Sequence, residues 1–157
     1  MVRTIFAALF VLLTGSSFPK KYERYCNKHK FKAQLLEYQT GVPTSIQLAQ
    51  AIYECGAGRD SLSRLANNHF GIKAGDNWRG ETFSFKGSSV KWRKYKHVGE
   101  SFVDHACFLS DHYGPACGKP WRHWVKYCEG YGGPNYWEKI GKIIQDYKLY
   151  KFDLYGK

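Results

Sequence analysis

Apolar residues recur with a helical period from residue 18 onward. In "FPKKYERYCNKHKFKAQLLEYQTG", side chains three or four positions apart fall on two faces of one helix, which ends at Gly41. One face carries Tyr25, His29, Lys32 and Leu36, and the other carries Phe31, Leu35 and Tyr38. The pattern predicts a long amphipathic helix.

A second helix is predicted in "GVPTSIQLAQAIYE", where Pro43 marks the first turn and Thr44 with Gln47 has the spacing of a capping box. Two glycines in "CGAG" end this helix. A short helix over residues 61–66 and the loop "NNHFGIKAGDN" follow. The second helix has an apolar stripe of Leu48, Ile52 and Cys55 and a polar stripe of Gln47, Gln50 and Glu54.

The period changes from helical to alternating in "ETFSFKGSSVKWRKY". Phe83 and Phe85 alternate with polar residues, and so do Val90 and Trp92, while residues 86–89 supply a turn. This stretch predicts a β-hairpin with one apolar face.

Helical period returns in two later segments. Ser101 is predicted to cap a helix in "SFVDHACFLSDHY", with Asp104 completing the capping box. Asn135 is predicted to cap "YWEKIGKIIQDY", with Glu138 three residues further on. The buried face of this last helix comprises Tyr136, Ile140, Ile143, Ile144 and Tyr147. The predicted architecture is α+β but mainly α, with one small sheet inserted in the middle.

Size and charge constrain the partners. A chain of 157 residues with 17% aromatic residues folds as one ordinary domain. Its net charge of +11 favours a polyanion or an anionic surface, such as nucleic acid, phospholipid or bacterial cell wall, although a basic surface kept for solubility explains it too. No helix carries a dense Lys/Arg face, so we expect no nucleic-acid partner.

The apolar run "IFAALFVLL" at residues 5–13 follows Arg3 and precedes "TGSS", which is typical of a secretory signal cut after Ser16. The run is shorter than the roughly 20 apolar residues of a membrane-spanning helix. We therefore expect a signal peptide at residues 1–17, an exported monomer and one domain at 18–157, with a buried N-terminal helix as the alternative.

Cysteine usage indicates neither a complete disulfide framework nor a metal site. Five cysteines leave at least one thiol free, and one bridge among Cys107, Cys117 and Cys128 is expected in an exported protein. The spacing of His105, Cys107, His112 and Cys117 fits no common zinc site, so no metal or other cofactor is expected.

Glu54 stands out because it lies at the end of an apolar helix. The negative end of the helix dipole and apolar neighbours both disfavour an ionised carboxylate. A carboxyl group that stays protonated near neutral pH is what a general acid of glycoside hydrolysis requires. The alternative, an exposed glutamate in a last turn, is favoured by period and composition alone.

Residues 40–73, "TGVPTSIQLAQAIYECGAGRDSLSRLANNHFGIK", resemble the signature of the bacterial peptidoglycan N-acetylglucosaminidases of glycoside hydrolase family seventy-three. The family pattern is approximately T-G-I-P-x-S-x-x-L-A-Q-x-x-x-E-S-G-x-G, followed by A-N-N-x-F-G-I-K. The likeness continues in order through "WRGETF", "RKYKHVGESFVDHACFL" and "GYGGPNYWEKIGKIIQDYKLYKFD", and so spans nearly the whole of residues 18–157.

The resemblance implies a lysozyme-like helical lobe, a small β-hairpin lobe and a groove between them. It implies cleavage of the β-1,4 bond after N-acetylglucosamine in peptidoglycan, with Glu54 as the catalytic acid and Tyr131 near the family's active-site tyrosine. It places in or near the groove Asn68, His69, Phe70 and Trp78. Three of these have a stated structural alternative: Asn68 as a loop cap, Phe70 as core, and Trp78 as a brace of the hairpin.

The chain departs from the family at Cys55 and Ala57, and its hairpin stretch "SFKGSSVKW" has no acidic residue. Glu81 is a better candidate for the second carboxylate than Asp76, because Glu81 sits at the mouth of the hairpin. A solvated glutamate at the start of a strand is the alternative for this residue. Three hypotheses stay open: Glu81 acts as the base, the substrate's N-acetyl group acts as the nucleophile with help from Tyr131, or the domain binds glycan and cuts slowly or not at all.

Overall fold

The computed structural model describes residues 18–128, 130 and 132–156, so the predicted signal segment and Tyr131 lie outside the described residues. Short 3-10 turns span Gly114–Ala116 and Leu149–Phe152. None of the described helices is long and apolar enough to cross a membrane. The helices are α1 (Lys20–Thr40), α2 (Thr44–Cys55), α3 (Ser61–Ala66), α4 (Val98–His112), α5 (Trp121–Tyr127) and α6 (Tyr136–Asp146), and the strands are β1 (Thr82–Phe83) and β2 (Trp92–Arg93).

Helix α2 is the central element, because every residue at positions 44–52 is buried. It packs against α1, α6 and the Leu149–Phe152 turn. The predicted apolar stripe of α2 is confirmed, since Leu48, Ile52 and Cys55 are all buried. A helix enclosed on all sides cannot leave its polar residues in water, so each of them needs a partner inside the protein.

The polar side chains of α2 bond to its neighbours, and this overturns the predicted capping box. The Gln47 side chain donates to the carbonyl oxygens of Ala33 at 3.0 Å and Val42 at 2.9 Å. The Thr44 hydroxyl donates to Glu37 at 2.7 Å. Pro43 occupies the N-cap position and makes no side-chain hydrogen bond there. The two residues face buried acceptors on α1 and the α1–α2 connection, so they do not pair with each other.

Two buried carboxylates fix the start of α2. Glu37 accepts hydrogen bonds from the backbone N–H groups of Thr44 at 3.0 Å and Leu154 at 3.0 Å. Asp153 accepts from the backbone N–H of Ser45 at 2.6 Å and from its hydroxyl at 2.8 Å. Negative groups at a helix N-terminus satisfy its free N–H groups and complement its dipole. The two carboxylates thereby join α1, α2 and the C-terminal segment.

The two predicted faces of α1 differ in burial. Tyr25, His29 and Leu36 are buried, which confirms the first face. The second face is exposed, with Phe31 at 72%, Leu35 at 49% and Tyr38 at 72%. The helix ends at Gly41 as predicted, in the left-handed conformation with φ 73°.

The predicted hairpin forms, but its strands are only two residues long. Phe83 pairs with Trp92 in an antiparallel register, and Lys73 forms an isolated antiparallel bridge with the same Trp92. Residues 72–74 therefore run alongside the hairpin as a third, irregular edge. These segments make up the small β-lobe.

Helix α4 begins three residues before the predicted cap. Ser101 is buried in the first turn and its hydroxyl donates to the Val98 carbonyl at 2.9 Å, so the capping prediction is wrong. Glu100 instead accepts from the backbone N–H of Lys96 at 2.9 Å. Asp104 does not complete a capping box either, because its carboxylate pairs with Arg93 of the β-lobe at 2.8 Å.

The C-terminal half combines a predicted helix with one that the sequence pattern missed. Buried Tyr136, Ile140 and Ile144 confirm the apolar face of α6. Asn135 occupies the N-cap position of α6 as predicted, with φ 58° and no side-chain cap hydrogen bond. Helix α5 has seven residues, too few for a clear period, and its Trp124 is fully buried.

All five cysteines are free thiols, so the expected bridge among Cys107, Cys117 and Cys128 does not form. Cys107 is exposed on α4, whereas Cys128 is buried where α5 ends. Among the described residues, no group of three or more metal-binding side chains comes together.

We predict that Glu37→Gln lowers the free energy of unfolding by about 2–4 kcal/mol, because an amide replaces an oxygen that buried N–H and O–H donors require. Urea denaturation followed by circular dichroism measures the change. Glu23→Gln on the exposed face of α1 is the control, with an expected change below about 1 kcal/mol. Equal effects of the two substitutions would contradict the role given to Glu37.

Candidate active site

A cleft of about 350 Å³ separates the helical lobe from the β-lobe, and Glu54 lies in it. Glu54 occupies the last turn of α2, which ends at Gly56 in the left-handed conformation with φ 57°. The other lining residues come from both lobes: Asp60, Ser61 and Leu62 from the helical side, and Gly71, Phe85 and Trp92 from the other. The glutamate predicted from its place in the sequence thus faces a groove.

Burial raises the pKa of Glu54 above its ordinary value, and a hydrogen bond with the Tyr136 side chain opposes the shift in part. The Gln50 side chain donates to the Tyr136 hydroxyl at 3.1 Å, so Gln50, Tyr136 and Glu54 form a chain of hydrogen bonds. The Tyr53 ring packs edge-on against Tyr136 with centroids 5.4 Å apart. This arrangement keeps the carboxyl group oriented while burial favours its protonated form.

Tyr136 was predicted only as part of the apolar face of α6. The polar stripe of α2 was the available signal, because Gln50 and Glu54 lie four residues apart on one side of that helix. A buried Gln beside a Glu requires a polar group on the facing helix, and Tyr136 supplies it. The family-derived tyrosine, Tyr131, lies outside the described residues, and its role stays a prediction.

The β-lobe contributes an aromatic wall to the cleft. Phe85 is 39% exposed and packs edge-on against Phe83 with centroids 5.0 Å apart. Trp92 is half-buried and is held by its antiparallel pairs with Phe83 and Lys73. Aromatic rings beside a carboxyl group suit the apolar faces of a sugar, since such surfaces exclude water from the contact.

The loop after α3 carries three predicted site residues into the interior. Asn68 is fully buried and donates to the carbonyl oxygens of Ile72 at 2.9 Å and Arg93 at 2.8 Å. The Phe70 ring stacks on the His105 ring with centroids 3.8 Å apart. His69 Nδ1 is hydrogen-bonded to the Tyr25 hydroxyl at 2.6 Å. None of the three lines the cleft with Glu54. They fix the loop that carries Gly71 to the cleft.

Trp78 and Glu81 also lie outside the lining of the cleft. The Trp78 indole N–H donates to the Glu81 carbonyl at 2.9 Å, and the Arg93 guanidinium lies 4.6 Å from the ring centroid, so Trp78 braces the β-lobe. The Glu81 carboxylate pairs with Lys94 at 2.8 Å, and this hydrogen bond lowers its pKa. As an exposed, ionised carboxylate, Glu81 carries the charge that a general base requires. Its role as the base stays a prediction.

Asp60 is the second carboxylate of the cleft, and it is not among the site residues predicted from the sequence. One of its oxygens accepts from the backbone N–H of Ser63 at 2.7 Å, which caps α3. The signal was present, because an aspartate directly before a short helix is a common N-cap.

Comparison with known proteins identifies the family. Residues 30–149 match the family described as glucosaminidase, mannosyl-glycoprotein endo-beta-N-acetylglucosaminidase. The chain belongs to this glucosaminidase family. The resemblance of residues 40–73 and the assignment to the glycoside hydrolases are thereby confirmed.

This chain is 32% identical to the exo-glucosaminidase LytG of Bacillus subtilis in an alignment that covers 93% of this chain and 62% of LytG. The chain thus spans less than two thirds of the length of that relative. Its fold is similar to the catalytic domain of the autolysin Auto from Listeria monocytogenes, with a TM-score of 0.72, 24% identity and coverage of 88% of this chain and 90% of that one.

The glycoside hydrolase domain of FlgJ from Salmonella typhimurium is similar too, with a TM-score of 0.65 and 26% identity over 79% of this chain and 86% of that one. These similarities confirm the predicted mainly helical, lysozyme-like fold with a small β-lobe.

We predict that Glu54→Gln raises the melting temperature of the protein at pH 7 by a few degrees. The pKa of Glu54 is higher in the folded state than in the unfolded state, where it is near 4.5. The folded state therefore binds the Glu54 proton more tightly. The contribution of Glu54 to stability is therefore full below about pH 4.5 and is lost as the pH rises through the folded pKa.

Thermal unfolding of both proteins between pH 4 and pH 8 tests this difference. The advantage of the Gln variant should grow with pH, and Glu138→Gln, at an exposed position, is the control variant. A Gln variant that is less stable at pH 7 would mean that the Glu54 carboxylate is well solvated.

Proposed function

We propose that the protein is an exported peptidoglycan hydrolase that cleaves the β-1,4 bond after N-acetylglucosamine within glycan strands, with Glu54 as the general acid. The observation that carries the proposal is the place of Glu54, half-buried in a cleft between the two lobes with its pKa raised by burial. Family membership and the names of the relatives, exo-glucosaminidase for LytG and peptidoglycan hydrolase for FlgJ, support this class of substrate.

In the proposed reaction the protonated Glu54 donates its proton to the glycosidic oxygen while the bond from that oxygen to the anomeric carbon breaks. Glu54 is then a carboxylate, and the hydrogen bond from Tyr136 stabilises the new charge. Gln50 donates to the Tyr136 hydroxyl, so the hydroxyl hydrogen stays directed at Glu54. The two neighbours thus favour the product of the proton transfer.

For the attack on the anomeric carbon we propose the N-acetyl group of the substrate. Its carbonyl oxygen forms a bond to the anomeric carbon as the leaving group departs, and water then opens the resulting ring with Glu54 as the base. Glu81 is fully exposed and paired with Lys94, and one oxygen of Asp60 is occupied as a helix cap. Neither carboxylate is held free in the cleft as a nucleophile would be.

The net charge supports a wall-bound enzyme. At +11 the protein is attracted to an anionic cell wall, and the attraction weakens as salt is added. Export through the predicted signal segment would bring the enzyme to this substrate. A binding module without activity is the second candidate, because the hairpin stretch "SFKGSSVKW" contains no acid.

We predict that residues 18–157 release fragments from purified peptidoglycan with N-acetylglucosamine at the new reducing ends, and that Glu54→Gln reduces the rate by about 10²–10⁴-fold. Mass spectrometry of the products identifies the ends and separates internal cuts from stepwise release of single sugars. N-acetylmuramic acid at the ends would contradict the proposed bond. Binding without product from either protein would establish the binding module.

Asp60→Asn and Glu81→Gln test whether a second carboxylate acts together with Glu54 in the reaction. Asn caps a helix as well as Asp does, so Asp60→Asn removes the charge and keeps α3 in place. Under the proposed N-acetyl mechanism both variants keep the rate within about tenfold of the parent. A loss of about 10²-fold or more in one of them, with unchanged melting temperature, would instead identify that residue as a catalytic carboxylate.

A further inference from the structure

A second cavity, of about 370 Å³, lies between the first half of α1, the connection from α2 to α3, and α3 itself. Among the described residues that line it there is no carboxylate. Within the described part of the chain, none of its cationic side chains forms an ion pair. We call it the basic cavity after its four cations, Lys21, Arg24, Lys28 and Arg64.

The helical period of α1 builds one wall of the basic cavity. Lys21, Arg24 and Lys28 are spaced by three and four residues, which places them on one side of the helix. Like charges at this spacing repel one another and destabilise a helix. With Arg64 contributed by α3, the folding of the chain brings together four positive charges that form no ion pair within the described part of the chain.

Two histidines form the inner part of the basic cavity. His29 is 8% exposed and His69 is 5% exposed, and the Tyr25 hydroxyl holds His69 through Nδ1 at 2.6 Å. His69 also lies close to the backbone of Gly58, where an added β-carbon would stand 3.0 Å from the ring.

Burial lowers the pKa of both histidines to about 4, and the nearby charge of Lys28 acts in the same direction. The negative charge of Asp60, a residue that does not line the cavity, raises the pKa of His69 and so opposes this effect in part. At neutral pH the cavity therefore combines neutral imidazoles at its base with cations at its rim.

We infer that the basic cavity binds a phosphate group, held by Arg24, Arg64 and the two lysines. Guanidinium groups form paired hydrogen bonds with phosphate oxygens, and ammonium groups add charge. The cavity shares no lining residue with the Glu54 cleft, so it is a separate site.

For the source of the phosphate we choose a phosphodiester polymer of the cell wall. This choice rests on the proposed function, whereas phosphate binding itself does not. A wall enzyme with such a site holds the polymer and the glycan strand at the same time, which raises the local concentration of its substrate.

The test compares two double variants that lose the same charge. Lys21→Gln with Lys28→Gln removes two cations of the basic cavity. Lys119→Gln with Lys151→Gln removes two exposed lysines outside it. Calorimetric titration with inorganic phosphate and with poly(glycerol phosphate), at constant ionic strength set by sodium chloride, measures binding without any need for hydrolysis.

We expect the cavity variant to bind inorganic phosphate at least about tenfold more weakly than the parent, because charge-assisted hydrogen bonds are lost, while the surface variant changes little. The same pattern with the polymer supports the wall source, and a pattern confined to inorganic phosphate overturns that choice of source. Equal weakening in both variants, or no binding by the parent, overturns the phosphate site, whatever the outcome of the peptidoglycan digestion.

Discussion

The complete burial of residues 44–52 of α2 determines how the surrounding elements are arranged. A buried helix leaves its N-terminal N–H groups and its polar side chains without water, and four such side chains lie within its first seven residues. Glu37, Asp153 and Tyr136 satisfy most of them from three other parts of the chain. The same bonds that make burial possible hold α2 in its place in the fold, and therefore position Glu54 in its last turn.

A second set of bonds determines what stands opposite Glu54. The Asn67 side chain donates to the Tyr95 carbonyl at 2.9 Å, and Asn68 ties the same loop to Arg93. Arg93 in turn pairs with Asp104 on α4, which also accepts a hydrogen bond from the Tyr95 hydroxyl. A hairpin with two-residue strands is weak by itself, so these contacts hold the β-lobe and its aromatic wall in place.

Sequence periodicity predicted the buried stripes of α2 and α6, because a core-facing helix requires them whatever its neighbours are. The raised pKa of Glu54 was predicted from local physics as well, since a helix end and apolar neighbours both act within a few residues. Its assignment as the catalytic acid came from the family resemblance and stays a prediction. The predicted caps at Thr44 and Ser101 failed because their hydroxyl groups bond elsewhere, to Glu37 across the core and to Val98 in the turn before. Likewise, the contact of Tyr136 with Glu54 joins residues far apart in the chain, and no local pattern records such a contact.

We propose that the sugar chain binds between the end of α2 and the aromatic wall of the β-lobe. A crystal structure of the Glu54→Gln variant with a soluble N-acetylglucosamine–N-acetylmuramic acid oligomer tests this placement. We expect a glycosidic oxygen within hydrogen-bond distance of residue 54 and a sugar ring against Phe85 or Trp92. An oligomer bound elsewhere, with this cleft occupied only by solvent, would contradict it.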